Sequence, residues 1–333
     1  MKWIVRAIGL LLLAGGLAFL AFRVPDTDAE EMWAKYGASP SQAVELADGR
    51  TVHLRDEGPR DAPVIMLLHG SNADLYTWQP WAEMLREDYR VIRFDQRGHG
   101  LTGPAPDGDY SHDAFVADVG NVADALGLER FVLAGNSMGG GIAMGYAMAH
   151  PERLDGLVLV DAGGADIQRE GRGNLAFKLA RIPVVNSLAF QLMPRSIVER
   201  SLSQSVSNQQ IVSPEAVDRY WELARYPGNR DATMKRFGLG WTVFDKADVA
   251  KVEVPTLVMW GKEDALIPFA AAGWYDDALP NSTLVAYDGI GHIPMEEAAE
   301  RSAADLMVWL SDIALAASES ASEPPSAQSV PNS

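Results

Sequence analysis

The chain has no cysteine, which excludes a disulfide framework, a thiolate metal site and a thiol nucleophile. Basic charge is also short. Against 45 Asp and Glu stand 28 Lys and Arg, a formal net charge of -17. Nucleic-acid binding needs stripes of Lys and Arg. None is present, so no nucleic-acid partner is expected. Histidine is scarce, at six residues, so each candidate base can be weighed singly. No internal repeat is visible. What is there is 333 residues, 47% of them hydrophobic, enough for one elaborated domain with additions at its ends.

The first addition is "MKWIVRAIGLLLLAGGLAFLAFRV". Lys2 and Arg6 precede an uncharged apolar run from Ala7 to Phe22, about 24 Å long at roughly 1.5 Å per helical residue. That is slightly short of a bilayer core, and Trp3 to Val5 extend it if Arg6 snorkels. No small-x-small cleavage site follows. Residues 1–24 therefore read as an uncleaved membrane anchor, with a cleaved secretory signal as the alternative. Leading basic residues and trailing Asp26, Asp28, Glu30 and Glu31 favour an inside N-terminus. The remaining domain is expected in the periplasm or otherwise outside the cytoplasm. Residues 25–40 read as a linker. Residues 315–333, rich in Ser, Ala and Pro, read as a disordered tail.

Between these ends apolar runs alternate with amphipathic stretches. "AVELADG" and "TVHLRDEG" flank a tight turn at Asp48-Gly49. "VIMLLHG", "YRVIRFD", "FVLAG", "LDGLVLVDAG", "TLVMWG" and "STLVAYDG" are further strands, several apolar enough to be buried on both faces. Helical patterns lie between them, so the fold class is α/β with a mostly parallel sheet covered on both faces. Residues 41–162 and 246–314 form this core. Residues 163–245 lack a clear buried strand and read as a helical insertion, placed to cover a site at the carboxyl edge of the sheet.

"VLAGNSMGGG" places Ser137 between an apolar strand and a helix, with Gly135 and Gly139 two residues to either side. This G-x-S-x-G turn is the nucleophile elbow pattern, and a Ser hydroxyl there needs a base. His292, in "DGIGHIPMEE" after the last strand, is the best placed. His53, His112 and His150 read as structural or surface residues, and His69 and His99 as part of loops near the site. The base needs an orienting carboxylate. Asp264 in "WGKEDALIP" is preferred, with the adjacent Glu263 and the earlier Asp161 as alternatives. The oxyanion donors are expected to be the backbone N–H groups of Met138 and Ser71, with the Asn72 side chain as a possible addition.

"LLHGSN", "FDQRGHGLTG", "GNSMGG", "WGKEDALIP" and "GHIPMEE" together resemble the α/β-hydrolase superfamily, in its serine esterase and lactonase branch with a helical cap. The resemblance covers roughly Tyr36 to Ile313. It implies an eight-stranded sheet, a triad on Ser137, Asp264 and His292, and no cofactor or metal. Branches that open epoxides or remove halides carry Asp where this chain has Ser137. The expected substrate is a small carboxylic ester or lactone held in an apolar cap pocket, with Phe177, Leu179, Phe190, Met193 and Trp241 as candidate lining residues. Carbon–carbon hydrolysis of ring-fission products is the alternative chemistry. "HGSNADL" and Ile293 after His292 depart from that branch, which resembles "HGSGPGA" and carries Trp. A catalytically silent, membrane-tethered binding module is the alternative of another class.

Overall fold

The structure, a computed structural model, describes residues 2–167 and 191–322. Its centre is an eight-stranded sheet. In chain order the strands are β1 Ser41–Glu45, β2 Thr51–Glu57, β3 Val64–Leu68, β4 Arg90–Phe94, β5 Phe131–Asn136, β6 Leu154–Val160, β7 Thr256–Gly261 and β8 Ser282–Tyr287. They are ordered β1-β2-β4-β3-β5-β6-β7-β8 in space. β2 pairs antiparallel with β1 and β4, and the other pairs are parallel. Each strand segment read from the sequence is present.

Parallel strands are joined by helices that cover both faces. The strand side chains divide accordingly. Met66 and Leu68 of β3 point into one core, and Ile65 and Leu67 into the other. The first core is closed by Phe115, Val119 and Val122 of α4 (His112–Ala125), Ile142 and Tyr146 of α5 (Met138–Ala149) and Tyr275 of α10 (Ala270–Ala278). The second is closed by Trp81 and Leu85 of α3 (Gln79–Leu85) and Leu306 and Leu310 of α12 (Ala299–Ser322). Trp81 Nε1 donates to Ser302 Oγ at 2.9 Å and ties these last two helices together.

Helix α1, Lys2–Phe22, is 21 residues long; its most apolar 18-residue stretch has a mean hydropathy of 2.2, and none of that stretch is buried in the protein. At roughly 1.5 Å per residue it matches the thickness of a bilayer core. It incorporates Lys2 and Arg6, so it is longer than the uncharged run alone.

Two boundaries differ from the sequence reading. Residues 25–40 are not a plain linker: α2 spans Ala29–Tyr36, capped by Asp28, whose carboxylate accepts from Glu31 N. Its Met32 is buried against Leu101 and Leu223. One eight-residue helix is too short to show a period, and its stability comes from docking. At the other end α12 continues to Ser322, so the expected disordered tail from residue 315 begins inside a helix. The remaining tail residues, 323–333, lie outside the described residues.

Between β6 and β7 the described chain holds α6 (Arg195–Ser205), α7 (Pro214–Ala224), α8 (Asn229–Leu239) and the short α9 (Lys246–Val249). The first three form a cap above the carboxyl ends of the strands.

Packing is tight where β5 turns into α5. A Cβ on Gly135 would sit 2.2 Å from the Gly139 carbonyl oxygen, and one on Gly139 would sit 2.3 Å from the Leu68 carbonyl oxygen. Both obstacles are backbone, which cannot step aside. Gly273, within α10, has open space instead. Gly135→Ala is therefore expected to cost on the order of 1–3 kcal/mol or more. Gly273→Ala should gain about 1 kcal/mol from helix propensity. Thermal unfolding of the full-length chain in detergent checks both, and equal stability of the two variants would contradict the packing argument.

Candidate active site

Ser137 forms the bend between β5 and α5, with φ 55° and ψ -116°. A non-glycine residue at positive φ is strained and is held only by its surroundings. Here Ser137 N donates to Val160 O at 3.0 Å, and Ser137 O accepts from Gly141 N and Gly163 N. The bend leaves the side chain lining a cavity of about 400 Å³ between the strand ends and the cap.

His292 lines the same cavity. It lies on the loop between β8 and α11 (Pro294–Glu297), and three contacts fix that loop. His292 N donates to Ser205 O of the cap at 2.7 Å. The His292 carbonyl accepts from Asn136 Nδ2 at 3.0 Å. Glu297 accepts from Gly291 N on one oxygen and from Ser207 N and Asn208 N on the other. The imidazole Nδ1 lies 2.7 Å from Asp264 Oδ2. Asp264 follows β7, and its other oxygen accepts from Leu266 N and Ile267 N.

Of the two other acids considered, Glu263 accepts from Gly289 N and is turned away from His292. Asp161 directly follows β6, fully buried at φ 45°. It lies close behind Asp264: ligand atoms of Asp161, Asp264 and His292 all fall within 4.8 Å of one another. Burial first, and then the Asp264 charge, push the Asp161 carboxyl well above the usual carboxylate range. The site therefore favours the protonated, neutral form of this carboxyl. That spacing is also open to a cation, but the Nδ1 of His292 is already engaged by Asp264.

The remaining histidines fall as the sequence indicated. His53 is buried against Asp95 at 2.6 Å. His69 and His99 are tied to loop backbone through Gly70 O and Arg97 O, and burial lowers the pKa of both. His112 begins α4, and His150 ends α5.

Met138 is the first residue of α5, so its N–H has no partner within the helix. Ser71 and Asn72 line the cavity on the loop after β3. Asn72, at φ 59°, turns its amide oxygen to Arg236 and Thr233 of the cap.

Arg236 itself carried no motif. It lies on α8, buried, donating to Ser71 Oγ at 2.6 Å, Asn72 Oδ1 at 3.0 Å and Met138 Sδ at 3.1 Å. None of these partners is a carboxylate, and burial lowers its pKa to about 10. It stays charged at neutral pH and fastens the cap to both segments expected to supply oxyanion donors. Asn136 was equally silent in the sequence, although it precedes the elbow serine directly. Among the expected pocket residues, Met193 and Trp241 line the cavity, while Phe177, Leu179 and Phe190 lie outside the described residues.

Comparison with known proteins agrees with the fold. A profile of the alpha/beta hydrolase fold matches residues 63–299. The 2-hydroxymuconate semialdehyde hydrolase of Pseudomonas putida is 28% identical over 269 residues, covering 78% of this chain and 90% of its own length. An esterase from Thermogutta terrifontis superposes with a TM-score of 0.67 at 26% identity, over 83% of this chain and 99% of its own. A membrane phospholipase A, described as a bacterial virulence factor, superposes with a TM-score of 0.71 at 24% identity, over 94% of this chain and 99% of its own. At that identity it shows the fold alone.

Two acids in contact predict opposite outcomes. Asp264→Asn should lower kcat by about 10⁴, because the amide stabilises the wrong imidazole tautomer. Asp161→Asn should cost far less, since the imidazole Nδ1 is held by Asp264 and not by Asp161. Stability gives a second readout. The native Asp161 carboxyl holds its proton to higher pH than the unfolded one, so native stability falls as pH rises above about pH 4. Asn removes that titration. Its melting temperature relative to the parent should rise as pH increases above about pH 4, and a constant difference would contradict the raised native pKa.

Proposed function

The chain belongs to the alpha/beta hydrolase fold family, and on that premise we propose that it is a membrane-anchored serine hydrolase of a carboxylic ester or lactone. The observation that carries this reading is the Asp264–His292 pair at 2.7 Å in the same cavity as the strained Ser137. With Nδ1 held by Asp264, the His292 Nε2 is the nitrogen left to take the Ser137 proton. The Ser137 oxygen then attacks the substrate carbonyl. The N–H groups of Met138 and Ser71 receive the developing oxyanion, and the Arg236 charge beside them favours it further. His292 returns the proton to the leaving alcohol, then activates water to release the acid from the acyl-enzyme. Asp264 holds the imidazole in this tautomer and orientation throughout. No step calls on a cofactor.

The cavity walls support an apolar substrate. Met193, Ile197, Phe237 and Trp241 contribute from the cap side, and Leu266 and Ile293 from the core. The Pseudomonas putida relative supports carbon–carbon hydrolysis as a second reading, since its name assigns it a ring-fission-type substrate. In the ester reading, purified enzyme turns over p-nitrophenyl esters or lactones faster than a ring-fission dienone. The reverse order would favour the second reading. Ser137→Ala should cut turnover on the order of 10⁶ and leave the fold intact, and turnover within about tenfold of the parent would remove Ser137 from the mechanism.

Helix α1 is the proposed anchor, with the catalytic domain outside the cytoplasm. Its length and hydropathy favour insertion far stronger than that of a single acyl chain. Full-length protein should therefore resist extraction by high salt and yield to detergent. N-terminal sequencing should find an intact start, and a start between Arg23 and Glu31 would establish a cleaved signal instead.

A further inference from the structure

The segment after α1 is not a free tether. Val24 N donates to Gln191 O at 2.8 Å, and Arg230 Nη1 donates to Val24 O at 2.8 Å. Arg225 Nη1 donates to Pro25 O at 3.1 Å, and Arg230 Nε to Asp26 at 2.9 Å. Thr27 N donates to Arg225 O at 2.9 Å. Four consecutive residues are thus held to the cap, starting two residues past the end of α1. Two residues span at most about 7 Å, so the C-terminal end of the apolar helix and the cap surface are close neighbours. Helix α2 extends the clasp: Lys35 and Tyr36 both bond Glu222 of α7. Arg230, which grips Val24 and Asp26, also lines the cavity that holds Ser137.

A second observation falls on the same face. Among the described residues outside α1, eight large apolar side chains are exposed, and six of them are Ile197, Phe237, Leu239, Trp241, Val243 and Leu266. Ile197, Phe237, Trp241 and Leu266 line the cavity itself. Exposed apolar residues on a soluble surface are normally scattered singly, and a cluster marks an interaction site. A tryptophan in such a cluster suits the headgroup level of a bilayer.

We infer that the cap rests on the bilayer into which α1 inserts, with these side chains in the boundary between headgroups and acyl chains. The Ser137 cavity then opens towards lipid, and the substrate is an amphiphilic ester drawn from the membrane, its acyl chain entering along the apolar rim. The inference rests on the anchor and serine-hydrolase readings above and commits them to a surface and a substrate class. The reaction is plain hydrolysis: water adds across the ester bond, giving a fatty acid and an alcohol.

The absence of cysteine makes the test direct. Val243→Cys and Glu129→Cys each accept one environment-sensitive fluorophore in the full-length chain. Glu129 is exposed and precedes β5, at the edge of the sheet opposite the cavity. Both proteins are reconstituted into phosphatidylcholine vesicles carrying a nitroxide on the acyl chain. Strong quenching at position 243 and little at 129 is expected. Equal quenching with the protein still bound to vesicles would overturn the cap placement and leave the anchor standing. Protein recovered free of vesicles would overturn the anchor, and the inference with it. A position-243 label shielded from water but unquenched by lipid, with cross-linked dimers, would assign the patch to a second copy and overturn the lipid surface.

Activity supplies an independent arm. Leu239→Asp/Val243→Asp should lower hydrolysis of a long-chain phosphatidylcholine in vesicles roughly tenfold or more by removing two apolar groups from the interface. p-Nitrophenyl butyrate turnover should be unchanged. If the parent cleaves the butyrate but not the vesicle lipid, the lipid substrate falls and the hydrolase stands. If it cleaves neither, the hydrolase reading falls first.

Discussion

The bend at Ser137 is the constraint on which the site depends. A buried parallel strand must stop, reverse into a helix and leave a side chain above the sheet. Positive φ at a serine is unfavourable by itself, and the crowding around Gly135 and Gly139 leaves no other path for the backbone. Strands β3 and β6 supply the walls: the Leu68 carbonyl meets the Gly139 position, and Val160 O accepts from Ser137 N. The sheet order therefore does more than build a core. It places the ends of β3, β5, β6 and β7 side by side, so that the Ser71 loop, Ser137, Asp161 and Asp264 leave neighbouring strands within reach of one another.

The cap holds this arrangement from above rather than merely covering it. Ser205 O binds His292 N, Glu297 joins the histidine loop to Ser207 and Asn208, and Arg236 joins α8 to Ser71, Asn72 and Met138. Buried charge is costly unless well partnered. Arg236 is held by a hydroxyl, an amide oxygen and a thioether, and in the proposed mechanism a positive charge kept that way beside Ser71 and Met138 favours a developing oxyanion. The same cap grips residues 24–27 after α1, so the proposed anchor and the site geometry share one structural unit.

The parts legible in the sequence are those governed by local pattern. Apolar runs closed by glycine read directly as strands, because parallel strands are buried on both faces. The elbow was legible because its steric demand is met by residues two positions apart. Ser137, His292 and Asp264 follow strand ends, where side chains in an α/β sheet converge. What was not legible depends on contacts distant in sequence. Arg236 reaches its partners on Ser71 and Asn72 across more than 160 positions, and nothing in "TMKRFGL" marks it. Helix α2 looks like a linker because its burial depends on Leu101 and Leu223. The choice between Asp161 and Asp264 turned on which carboxylate meets the imidazole, which chain order alone does not decide.

The central claim is that Ser137 is a nucleophile activated by His292. Peptide mapping by mass spectrometry after treatment with a fluorophosphonate tests it most directly. The account places the adduct on the peptide containing Ser137 in the parent protein and predicts that His292→Ala abolishes it. An adduct on a different residue, or Ser137 labelled equally fast in His292→Ala, would contradict it.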